Sequence, residues 1–295
     1  MNAGLIFIKP HAANTQTRSF VEKYIDEAGI IVEKNDFLSG EEIESRGIID
    51  LHYFSISMTA MKTKPAELSV QKTAVETFNS TYGLSWREAI SANLVMNSAD
   101  FMKARGIKTG EELTKVWSAG QFMKLGPGLY VCRVHNGDEF LINGFYPGMR
   151  EKFTRKDATV IWYAVHFDER NLHWEAFRKS VIGATDPSKA DQGSIRNILF
   201  SDYRDYGLDY RPTMSDNGVH ASAGPIEGMR ERMVWANIKP EDSELGKQLL
   251  EKGLKQSELE RLLENGQAEF AGSQGPVFDI TEDTDASKIP GSLSI

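Results

Sequence analysis

The sequence predicts an α+β protein: an antiparallel sheet with helices, interrupted by an inserted subdomain. Three observations predict it. A short apolar run, Gly4–Ile8, is stopped by Lys9-Pro10, the pattern of a buried strand ended by proline. A second run, Thr159–Phe167 (TVIWYAVHF), is β-branched and aromatic throughout, a composition that fits a packed, pleated surface. Between and after these runs the apolar spacing becomes helical.

Taken in order, Gln16–Ala28 reads as a helix, with Phe20, Val21, Tyr24, Ile25 and Ala28 at helical spacing and Gly29 at its stop. Ile30–Leu38 is the next strand, and Ser39-Gly-Glu-Glu opens a short helix towards His52-Tyr53, its acidic residues complementing the positive end of the helix dipole. The character changes at about Ala60. Helical patterns cover Pro65–Tyr82, Ser85–Lys103 and Gly110–Lys124, followed by a hairpin, Leu129–Val134 and Glu139–Phe145, about the turn His135-Asn-Gly-Asp138. After Thr159–Phe167, Asp168 begins a helix reaching Ile182 before Gly183, and a loop region with a short helix at Ser194–Phe200 runs to Asn217. Val219–Ser222 is the last strand, Pro225–Met233 a helix with proline in its first turn, and Glu241–Ala268 a charged amphipathic helix or pair. Ala271–Ile295, rich in Gly, Ser and acidic residues, reads as a poorly ordered or draped tail.

Without the middle segment the order is strand, helix, strand, helix, strand, helix, strand: a ferredoxin-like split βαβ with helices on one face of the sheet. The expected organisation is a core of residues 1–59 and 158–240, a mainly helical and β-hairpin insertion over 60–157, and a C-terminal helical extension and tail over 241–295.

The bulk properties narrow the function. A chain of 295 residues is long enough to bury a core without disulfides or structural metals. Its 42 acidic and 34 basic residues leave a net charge of −8, which argues against nucleic-acid binding while leaving room for a local phosphate pocket. The single cysteine, Cys132, excludes an intrachain disulfide and fits a reducing, cytoplasmic compartment. No apolar run approaches the ~20 residues of a membrane span. His52, His135 and His173 share no metal-ligand spacing, so no protein metal site is expected.

Four short blocks carry chemistry: Ile8-Lys9-Pro10, His52-Tyr53, Gly183-Ala-Thr-Asp-Pro187 leading to Gly193-Ser-Ile-Arg196, and Asn217-Gly-Val-His220-Ala-Ser222. Singly, each residue is ordinary. Together, in this order, they resemble the nucleoside diphosphate kinase family, whose strand ends in Ile-Lys-Pro and whose Asn-x-x-His-Gly-Ser segment carries a phosphorylated histidine. Thr185 lies 11 positions before Arg196, Glu231 lies 11 after His220, and Trp235 follows, all in the family's register. The resemblance covers roughly residues 1–60 and 158–240.

The resemblance implies phosphoryl transfer through a phosphohistidine at His220, from a nucleoside triphosphate to a nucleoside diphosphate. Histidine suits the task because an imidazole with an ordinary pKa near 6.5 is largely unprotonated at neutral pH. Lys9 and Arg196 would neutralise phosphate charge. Tyr53, Lys179, Thr185 and Asn217 would complete nucleotide binding, and Glu231 with Ser222 would orient the imidazole. Mg²⁺ would enter bound to the nucleotide phosphates. Homo-oligomerisation is implied too, a dimer being the commonest closed form. Two other readings stay open: an unusual or non-nucleotide acceptor, and a nucleotide-binding regulatory protein without turnover.

Several residues depart from the family pattern. His11 replaces an aspartate, Ala223 follows Ser222 where the family has a carboxylate, and no Pro-Phe pair follows Tyr53. The family's arginine before the loop glycine falls on Lys179, with Arg178 one place earlier, about 100° away on an α-helix. The long insertion sits where a helical hairpin normally covers the nucleotide, and is expected to act as a lid that reshapes the acceptor site.

Overall fold

A computed structural model describes residues 1–135 and 137–294. Asn136, in the hairpin turn read from sequence, and Ile295 lie outside the described residues. In chain order the strands are β1 (Asn2–Ile8), β2 (Ile31–Ser39), β3 (Val95–Asn97), β4 (Gln121–Gly126), β5 (Leu129–Arg133) and β6 (Phe140–Ile142). They continue with β7 (Thr159–Phe167), β8 (Val219–Ala221), β9 (Gln267–Phe270), β10 (Ser273–Pro276) and β11 (Leu293–Ser294). The chain divides into two compact units, residues 1–42 with 157–295 and residues 43–156.

The first unit is built on a sheet of order β2-β7-β1-β8, every neighbouring pair antiparallel. Each βαβ crossover is therefore split by a strand of the other. The central strands β1 and β7 are buried along almost their whole length, which is why both read as continuous apolar runs rather than alternating ones. Ile6 and Ile8 pack with Val21 and Ile25 of the helix Thr15–Glu27 and with Phe177 and Val181. The opposite face is covered as well, which corrects the expectation of helices on one face only. Phe7 stacks on Trp235 of the helix Pro225–Ala236, ring centroids 4.8 Å apart. That helix lies so close to β1 that a Cβ on Gly228 would come within 2.7 Å of the Ala3 carbonyl oxygen.

The helix read from Asp168 starts later, at Trp174. Asp168 instead accepts from the Arg170 N–H at 3.0 Å, closing a turn of the kind aspartate favours. From Phe177 to Ile182 the coil widens into a π-helical segment, whose last bond runs from Gly183 N to the Arg178 carbonyl.

Residues 271–294 are not a loose tail. β10 and β11 flank β9 in a three-stranded sheet, and Val277, Ala286 and Ile289 bury beside Leu245, Leu259, Leu262 and Phe270. A few well-placed apolar residues suffice, because the helix Pro225–Ala236 already offers Ile226 and Met229 to the same cluster. Asp285 pins the segment. Only 4 % exposed, it accepts from Asn2 Nδ2 at 2.9 Å and from Trp174 N at 2.8 Å, and it meets His173 Nδ1 at 2.8 Å. Burial pushes this carboxyl up, but those bonds outweigh it and hold the group below its usual range. Asp285→Ala should therefore cost about 2–4 kcal/mol of stability in chemical denaturation, since it orphans buried donors. A loss under ~0.5 kcal/mol, the size of an ordinary surface substitution, would refute that role.

The second unit has its own sheet, β3-β6-β5-β4, in which β3 and β6 are parallel and the other neighbours antiparallel. Its core includes Phe78, Trp86, Val131 and Phe140, with Leu113, Trp117 and Leu141 in a neighbouring cluster. Two helices read as long are shorter here. Asn93, at φ 55°, ends one before β3. The other ends at Gly120, whose extended backbone leads into β4 and where a side chain would strike Cys132 Sγ. Among the described residues no helix is long and apolar enough to cross a membrane.

Candidate functional site

His220 stands on β8, directly opposite Phe7 in the antiparallel register with β1. The two rings stack with centroids 4.6 Å apart, so the imidazole points to the face covered by the helix Pro225–Ala236. From that helix Glu231, 3 % exposed, brings Oε1 to 2.8 Å from His220 Nε2. The other carboxylate oxygen of Glu231 accepts from Ser222 Oγ. Ser222 is itself placed by accepting from Leu5 N at 2.8 Å. With Nε2–H donated to the carboxylate, the neutral ring carries its lone pair on Nδ1.

Burial and the positive charges of Lys9, Arg196 and Arg178 push His220 well below the ordinary histidine range. The Glu231 carboxylate pulls the other way; burial and three cations outweigh it. The ring is neutral at physiological pH.

Lys9, at the end of β1, is fixed by its N–H donating to Gly218 O at 2.9 Å, and its Nζ donates to Ser215 O at 3.1 Å. Arg196, on the helix Ile195–Ser201, spans the two glycine loops. Its Nη1 donates to Gly183 O at 2.8 Å, and Nε and Nη2 donate to Val219 O at 3.2 and 2.9 Å. The guanidinium thus braces the backbone next to His220 while placing its charge there. Asn217 Nδ2 donates to Thr185 O at 3.0 Å, and its Oδ1 is buried without a hydrogen-bond partner. The exposed Thr185 therefore joins through its carbonyl. His11 Nε2 accepts from Gly218 N at 3.1 Å, so the residue in the family's aspartate position holds the loop that carries His220.

The expected cation Lys179 is exposed, and the charge acting on His220 is that of its neighbour Arg178. The reason is local. A π turn holds more residues than an α turn, so the side chains of Phe177–Ile182 are turned differently from those of an α-helix of the same sequence. Tyr53 belongs to the second unit, between the helices Ile48–His52 and Phe54–Met61. Its ring lies edge-on to that of His52 at 4.4 Å.

Sequence reasoning overlooked Glu227. It lies one helical turn before Glu231 and accepts from Ala223 N at 2.7 Å. Burial and the neighbouring Glu231 charge push its carboxyl up to about 8, so it holds a proton at neutral pH. The i, i+4 spacing of two glutamates on one helix face was a readable signal. Glu282 and Asp283, which pair with Arg178, had no such signal, being far from the site in sequence.

No protein-family model matches the chain, and no curated protein matches it. Among solved structures, one neighbour is a nucleoside diphosphate kinase from Encephalitozoon cuniculi (cubic form, apo), at 14 % identity and a TM-score of 0.38, covering 80 % of this chain and 88 % of that one. Another is an NDP kinase from Pyrobaculum aerophilum, at 16 % identity and a TM-score of 0.35, covering 79 % and 94 %. Likeness this slight carries no conclusion about chemistry, which has to come from the site.

Proposed function

We propose that the protein is a phosphotransferase that moves the γ-phosphoryl group of a nucleoside triphosphate to a nucleoside diphosphate through His220. One observation supports this above the others: a neutral imidazole, oriented by Glu231, stands within the field of Lys9, Arg178 and Arg196. Cations around a neutral nucleophile suit a polyanionic electrophile. In the first step Nδ1 attacks the γ-phosphorus, the bond to the β–γ bridging oxygen breaks, and the diphosphate departs with that electron pair. In the second, a β-phosphate oxygen of the acceptor attacks the phosphorus and the P–N bond returns its pair to Nδ1. Glu231 stabilises the positive charge that the ring gains when phosphorylated, while Ser222 keeps the carboxylate aimed.

The cationic side chains near His220 do not favour a bare divalent ion, so Mg²⁺ fits as a counter-ion held by the nucleotide phosphates, where it supplies charge neutralisation. A homodimer is the expected assembly; the outer edge of β2 leaves Ile31 and Phe37 more than half exposed, and light scattering reads the mass directly.

Incubation with γ-labelled ATP tests the proposal. The protein should acquire acid-labile, base-stable label that maps to the peptide containing His220, and a nucleoside diphosphate should discharge it. An unlabelled protein that is nevertheless stabilised by ATP against heat would instead be a binding protein without turnover. The pH profile carries a separate expectation. Because His220 is held below the ordinary range near 6.5, labelling should stay flat from pH 8 to about 6.5; a half-loss centred at 6.5 would mean an unperturbed imidazole.

A further inference from the structure

Arg178 is the cation at this site that does not rest on backbone carbonyls. Its Nη1 donates to Glu282 Oε1 at 2.6 Å and to Asp283 Oδ1 at 2.8 Å. These acids come from the C-terminal extension, which runs directly against the segment following His220: Asp283 N donates to Ala223 O at 3.0 Å, and a Cβ on Gly224 would lie 2.8 Å from Thr281 O. Arg178 is also tied to the Arg196 brace, since its carbonyl accepts from Gly183 N and the Gly183 carbonyl accepts from Arg196. Two carboxylate oxygens therefore converge on the Nη1 of one guanidinium beside the histidine loop, a donor that phosphate oxygens could equally take.

The surroundings separate what can move from what cannot. Thr281 is fully buried and Asp285 nearly so, which anchors the backbone on both sides. The Glu282 and Asp283 side chains are 46 % and 42 % exposed and can swing into solvent without unmaking the core. Asp283 sits at φ 59°, a left-handed conformation that aspartate tolerates better than most residues. This conformation brings its N–H to Ala223.

We propose that Glu282 and Asp283 form an autoinhibitory clasp: they occupy Arg178 as surrogates for phosphate oxygens, and the phosphate of an incoming nucleotide must displace them before Arg178 can grip it. The proposal rests on the anion site of the phosphotransfer reading, but not on the chemical step at His220. An exposed pair of this kind is easily exchanged for a phosphate dianion, which can take Nη1 from the two acids and engage the rest of the guanidinium fork as well. The clasp would lower affinity for nucleotides without blocking the site, so that tightly charged polyphosphates compete best.

Calorimetric titration of the full chain with Mg·ATP, and separately with inorganic triphosphate, tests this. The double variant Glu282→Gln, Asp283→Asn should bind both probes about 3- to 10-fold more tightly than the native protein, the range expected for removing two exposed charge pairs. Glu282→Gln alone, which leaves the Asp283 turn intact, should give part of the gain and guards against misfolding of the double variant. Adding Arg178→Gln should abolish the difference. Equal or weaker binding by the folded variants would overturn the clasp and make the acids positioning groups for Arg178; so would a gain that survives Arg178→Gln, or no binding by any of the proteins. If affinity responds as expected while no protein forms a phosphoenzyme, the clasp stands and the phosphohistidine reading falls.

Discussion

His220→Gln is expected to abolish acid-labile label from γ-labelled ATP, lowering phosphoenzyme formation by at least ~10³-fold, because an amide offers no basic nitrogen to attack phosphorus. Glutamine is preferred to alanine since it preserves much of the packing on Phe7 and can still meet the Glu231 carboxylate. Its fold can be checked by thermal unfolding, and nucleotide binding should persist, because Lys9, Arg178 and Arg196 are untouched. Glu231→Gln is the graded companion. The amide retains a hydrogen bond to Nε2 but loses the charge that stabilises a phosphorylated ring, so labelling should slow by roughly 10- to 100-fold without vanishing, in the range of a lost electrostatic contact. Label retained at full rate in His220→Gln would move the nucleophile elsewhere.

Glu227→Gln carries the largest expected effect on stability, and its sign depends on pH. In the folded protein the Glu227 carboxyl is pushed up to about 8 by burial and by Glu231, against about 4.3 for glutamate in an unfolded chain. Below pH 4 both states hold the proton, so glutamine and glutamic acid should differ little. Between about 4.3 and 8 the unfolded state has released its proton while the folded state retains it, so native stability falls as pH rises. Above pH 8 the native protein carries the full penalty, roughly 3–5 kcal/mol, which glutamine never incurs. The variant should therefore be nearly neutral at pH 4 and clearly more stable than the native protein at pH 8.5. Parallel denaturation curves at the two values would read this; a constant offset would show that Glu227 titrates normally. That the chain keeps such a carboxyl four residues from Glu231 is consistent with stability being spent at a functional centre.

Much of the first unit was legible because its strands are short apolar runs with clear stops. Thr159–Phe167 matches β7 residue for residue, since a β-branched and aromatic run has few alternatives. His220, Glu231 and Ser222 are grouped by the family resemblance, and the short turn that joins β8 to the helix after it keeps their sequence distance close to their spatial distance. Family register points to Lys179, whereas the charge that acts on His220 is that of Arg178; the π-helical segment that carries both has no signature in these residues. The segment after Ala271 reads as a poorly ordered or draped tail for a different reason: its glycine, serine and acidic residues resemble a solvated tail, and only a partner surface makes them structure. Asp285 is buried by virtue of Asn2, Trp174 and His173, none of them its sequence neighbours.

What the amino-acid order determined by itself was local and periodic, chiefly the strand and helix identities; the histidine loop and the glutamate that faces it from the next helix became readable through the resemblance of several motifs, in order and register, to one family. What only the folded chain decided was which charges meet. Lys9, Arg178, Arg196, Glu227 and the Glu282–Asp283 pair converge on one loop from segments that span nearly the whole sequence. Coulombic interaction depends on distance through space and on burial; neither quantity is written in the spacing of residues along a chain.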